Sequence, residues 1–146
     1  MVYLGFIQKS MLGDHLYYIT MTTFSPTSSP RAERAKINKS ISPYYDPYPK
    51  INDVEYIAAD LELEYINQRF CIKCEGKYFR LNKIDGTIML SKTKPLYFIE
   101  SNQQFITTIK KKKYKLCGDY PHIRLCELDN DAYNDEIHRV AINSNM

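Results

Sequence analysis

The chain has no tryptophan and only five glycines among its 146 residues. None of those glycines belongs to a Gly-rich loop that could cradle a phosphate, which removes the common nucleotide-binding fingerprints. No apolar run approaches the roughly 18 residues of a membrane-spanning helix, so no membrane span is expected. The first residues, Met1-Val-Tyr-Leu-Gly-Phe-Ile-Gln-Lys9, lack a basic stretch followed by a continuous apolar one and do not read as a signal peptide. The expected location is therefore cytoplasmic, or secreted without a signal peptide. A formal charge of +3 is too mild to argue for nucleic acid, and none is expected as a partner. Ser/His/Asp, Cys/His and paired-carboxylate groupings are also missing, which predicts a non-enzymatic chain without a cofactor.

Metal-site spacing is incomplete. Cys71-Ile-Lys-Cys74 looks like half a zinc site, but on an extended strand residues three apart point to opposite faces. The other two cysteines, Cys117 and Cys126, have eight residues between them. All four are expected as small buried thiols, reduced in a cytosolic setting and with their redox state open if the chain is exported, and no metal is expected.

Aromatic residues dominate what is present. Thirteen tyrosines and six phenylalanines favour strands, because flat rings pack well on a pleated surface. Shifting Phe105-Ile-Thr-Thr-Ile-Lys-Lys-Lys-Lys-Tyr-Lys-Leu116 back by 35 positions lays Phe105 on Phe70, Tyr114 on Phe79 and Leu116 on Leu81. The same shift places Ile123 on Ile88 and Leu125 on Leu90. A looser copy begins at Phe6-Ile-Gln-Lys-Ser-Met-Leu-Gly13, with Tyr17 and Ile19 in the places of Phe79 and Leu81. Copies of about 1–67, 68–101 and 102–146 result, within a single domain. In the second copy, Tyr78-Phe79-Arg80-Leu81 alternates, Asp85-Gly86 supplies a turn and Ile88 to Leu90 returns. Four short strands per copy give about twelve in all, and closing them into a barrel would remove exposed sheet edges.

The run Gly76-Lys-Tyr-Phe-Arg-Leu-Asn-Lys-Ile-Asp-Gly-Thr-Ile-Met-Leu-Ser91 resembles the repeat unit of β-trefoils, especially fascins, fibroblast growth factors and interleukin-one-like cytokines. The resemblance implies an all-β capped barrel of three four-stranded repeats and a protein-recognition role. Lectin trefoils often carry Gln-x-Trp in each copy, and the missing tryptophan counts against that subclass.

Two segments stand out as candidate binding elements. About residues 24–53, Pro26, Pro30, Pro43, Pro47 and Pro49 interrupt the first copy, so regular strand pairing is not expected there. A long loop of this kind could engage a partner through Tyr44, Tyr45 and Tyr48, or inhibit a protease through Arg31 and Arg34. The second segment is Lys110, Lys111, Lys112 and Lys113 with Lys115, expected between two strands. It reads as an anion site for a polysaccharide or an acidic protein surface, and fibroblast growth factors bind heparin through a basic surface in their third repeat. The functional expectation is a binding module for a protein partner. A carbohydrate-binding lectin and a protease inhibitor are the alternatives.

Overall fold

The computed structural model describes residues 2–8, 11, 13–21, 30–35, 50–51, 58–129 and 135–142. Every regular element among them is a strand. In chain order these are β1 (Tyr3–Gln8), β2 (His15–Met21), β3 (Pro30–Arg34), β4 (Lys50–Ile51), β5 (Glu62–Ile66), β6 (Arg69–Cys74) and β7 (Lys77–Leu81). They continue with β8 (Ile88–Ser91), β9 (Ile99–Ser101), β10 (Gln104–Ile109), β11 (Lys112–Asp119), β12 (His122–Glu127) and β13 (His138–Ile142). The larger sheet runs β4-β13-β1-β2-β3-β12-β11-β10-β9 and the smaller one β5-β6-β7-β8. Only β4 joins in parallel, against β13. The other eight strands of the larger sheet are antiparallel and curl into a half-barrel beside the four-stranded sheet.

Short turns set this register. Asn67-Gln68, Glu75-Gly76, Asn102-Gln103 and Lys110-Lys111 each link adjacent strands through two residues. Two-residue hairpins favour positive φ because that twist matches the strands they join. The Asp85-Gly86 turn forms as its sequence indicates. Asp85 Oδ1 accepts from the Thr87 amide at 3.0 Å and the Thr87 hydroxyl at 2.6 Å, while Gly86 takes φ 77°. These Thr87 bonds hold the Asp85 carboxyl below its usual range.

The core gathers the inward faces of both sheets, including Leu4, Phe6, Ile72, Phe79, Phe98 and Leu116. Phe70 and Phe105 meet edge-on inside it, with ring centroids 5.8 Å apart. A second cluster, Ile7, Leu16, Tyr18, Ala35, Ala58 and Val140, covers the opposite face of β1 and β2. These strands are buried on both sides.

Hydrogen bonds outside the ladders knit distant segments. Val2 and Leu61 exchange amide–carbonyl bonds of 3.3 and 2.8 Å, as Phe70 and Phe98 do at 2.9 and 2.7 Å. Ala59 donates to the Ile19 carbonyl at 2.8 Å, Leu96 to Phe79 at 2.9 Å and Ile137 to Leu116 at 2.9 Å.

These bonds correct the sequence alignment in two places. Phe6 and Phe70 have different surroundings: Phe6 stacks on Tyr17 at 5.1 Å, whereas the reciprocal bonds of Phe70 with Phe98 find their like at Val2 and Leu61. Phe79 faces Leu90 across β7 and β8, whereas Leu125 faces Leu116 rather than Tyr114. The slip is two residues, so side-chain alternation stays in phase and the apolar match survives it.

The expected irregular segment at 24–53 also needs correction. Residues 30–34 form β3, paired with β2 from Tyr17↔Arg34 to Met21↔Pro30, and residues 50–51 form β4. Pro30 opens its strand, a position where a missing N–H is tolerated. Ala32 alone supplies the inward apolar contact with the main core, so no hydrophobic alternation advertised the strand. The cysteines divide into two pairs. Cys117 and Cys126 form a disulfide across β11 and β12, and Cys71 and Cys74 are free and buried. Antiparallel pairing makes Cys126 the partner of Lys115, two residues from Cys117, a proximity that linear spacing hides.

Candidate functional site

The lysine run lies on the β10–β11 hairpin. Ile109 pairs with Lys112 and Thr108 with Lys113, leaving Lys110 and Lys111 as the two turn residues. Both are exposed, with φ of 50° and 67°. An L-residue in this region costs roughly 1–2 kcal/mol against its ordinary conformations, and neither glycine nor asparagine is present to relieve it. Two lysine side chains thereby extend from the tip of the hairpin.

The pleat sends the following lysines in different directions. Lys112 donates to Glu127 Oε1 at 2.7 Å, and that bond raises its pKa above the ordinary value. Lys113 is exposed and directly opposite Thr108. Lys115 is not a surface ligand, which corrects its inclusion in the basic patch. Its side chain is 4% exposed and its Nζ donates to Glu136 Oε1 at 3.0 Å. Alternation along β11 turns Lys115 toward the covering 135–137 segment while Leu116 enters the core.

Arg31 and Arg34 lie on β3 rather than in a loop, and both are exposed. They are also three residues apart on a strand and face opposite ways. Arg34 opposes Tyr17 and donates to His15 Nδ1 at 2.7 Å; Arg31 opposes Thr20 and His122. Tyr44, Tyr45 and Tyr48 lie outside the described residues.

A feature not singled out from the sequence lies between β5–β6 and β9–β10. The Arg69 guanidinium sits 4.2 Å above the centre of the Tyr97 ring. Beside this pair is a cavity of about 260 Å³, with Leu96, Ile99, Ile106 and Thr108 in its lining. Ile99, in this lining, is 45% exposed. Sequence reading had no signal for it, because Arg69 and Tyr97 are 28 positions apart and meet only through the Phe70–Phe98 bridge.

Among the described residues, no group of three or more His, Cys, Asp or Glu side chains is placed to hold a metal ion. Cys71 opposes Glu64 and Cys74 opposes Lys77, and burial raises both thiols, Cys74 to about 11. No family model, curated protein or solved structure matches the chain.

Proposed function

We propose that the protein is a non-catalytic β-trefoil binding module that recognises a protein partner and engages a polyanion through the β10–β11 hairpin. The trefoil reading is supported by the equivalent bonds Ala59–Ile19, Leu96–Phe79 and Ile137–Leu116, one for each sequence copy. Supporting it too are the three antiparallel pairs β13–β1, β5–β6 and β9–β10.

The observation carrying the functional reading is the placement of Lys110 and Lys111 at left-handed turn positions, both exposed. The same turn conformation recurs at Asn102-Gln103, so it belongs to the hairpin; what sets the β10–β11 tip apart is that both of its turn residues are lysines. Preordering on the hairpin lowers the entropic cost of binding, and two adjacent ammonium groups attract sulfated or carboxylated polymers. Replacing Lys110 and Lys111 by serine should move elution from immobilised heparin to clearly lower salt. Unchanged elution by a folded variant would remove the polyanion role.

A further inference from the structure

We infer that the cavity beside Arg69 and Tyr97 is a second binding site, which takes the C-terminal residue of a peptide when that residue is large and apolar. Its volume of about 260 Å³ falls below the roughly 300–1,000 Å³ of sites for drug-sized ligands and suits one side chain. Leu96, Ile99 and Ile106 provide the apolar contacts.

The cation is Arg69. Tyr97 covers one face of its guanidinium, which orients the planar fork and leaves N–H edges for a carboxylate. Among the described residues Arg69 has no ion pair; nearby Glu100 is engaged by Arg139 through contacts of 2.9–3.1 Å. The exposed Thr108 shares the cavity and adds a hydroxyl donor. An apolar body and a carboxylate borne on one residue match this arrangement.

The walls are fixed before any ligand arrives. Leu96 N is bonded to Phe79 O at 2.9 Å, Phe98 N to Phe70 O at 2.7 Å, and the Thr107 hydroxyl donates to Tyr97 O at 2.7 Å. Three successive residues, 96 to 98, are thus held by different strands. The site does not depend on the hairpin turn lysines, so it stands or falls separately from the polyanion reading.

Titration of the full chain, labelled with nitrogen-15, with N-acetyl-leucine and with its amide tests the proposal. Saturable shifts at the Arg69, Leu96 to Ile99 and Thr108 amides are expected, with a dissociation constant of about 1 mM or lower. The amide, which lacks the negative charge, should bind about ten-fold more weakly, and Arg69→Gln should weaken the acid similarly. Arg69→Lys keeps the charge without the fork and should weaken the acid while leaving the amide unchanged. Lys110→Ser with Lys111→Ser should leave acid binding intact. Absence of saturable shifts, equal binding of acid and amide, or shifts centred on residues 110–113 would overturn the site.

Discussion

His138 shows how burial alone can give one side chain a pH-dependent effect on stability. Burial pushes its imidazole below 6.5, against smaller opposing contributions from the carbonyl and carboxylate of Glu136. Protonation is therefore harder in the folded chain than in the unfolded one. The associated stability is complete above pH 6.5 and is lost as pH falls through the depressed folded value. Asp135, pushed up by burial and then by Asp119, acts with the opposite sign, losing stability as pH rises above 3.8 through its folded value. Chemical denaturation across this range should show a fall below pH 6.5 that flattens in His138→Gln; an identical slope in both proteins would contradict the assignment. Gly118 makes a sharper residue-scale test, because a Cβ there would overlap the Phe6 ring. Gly118→Ala should cost about 1–3 kcal/mol and lower the melting temperature by about 2–4 °C for each kcal/mol. An unchanged melting temperature would mean that the ring does not lie against that glycine. Neither property was legible in the sequence, since each depends on a contact between distant positions.

Hairpins were more legible. The alternation around Phe79 and the Asp85-Gly86 turn specify β7 and β8, because pleat and turn chemistry are local. β3 was missed because Pro30, Arg31, Glu33 and Arg34 offer no apolar alternation, and partners from β2 and β12 create the strand. The Lys110-Lys111 turn lies between these cases: its position could be read, its backbone conformation could not. Lys111→Gly should stabilise the fold by about 1 kcal/mol by relieving the left-handed backbone. It should also weaken retention on heparin. Urea unfolding and heparin chromatography on one preparation would check both effects. A variant that gains stability and loses no retention would leave the strain without a binding role.

At the scale of the whole molecule, the repeated apolar pattern reported an all-β core correctly, while the β11–β12 register differs by two residues from the one that the ungapped alignment with β7–β8 would give. A slip of two preserves which face is buried, so sequence periodicity cannot detect it. Phe70, in contact with Tyr65, Phe98 and Phe105, joins elements from both sheets. Phe70→Ala should cost about 3–5 kcal/mol, a loss measurable by denaturant unfolding; a cost below about 1 kcal/mol would mean that the sheets do not share that core. Calorimetric titration of a heparin oligosaccharide at several salt concentrations tests most directly whether the charge at the β10–β11 tip binds a polyanion. The wild-type association constant should fall linearly with salt on a log–log plot, and removing Lys110 and Lys111 should reduce that slope by roughly two. Equal affinity and equal slope in the two proteins would contradict it.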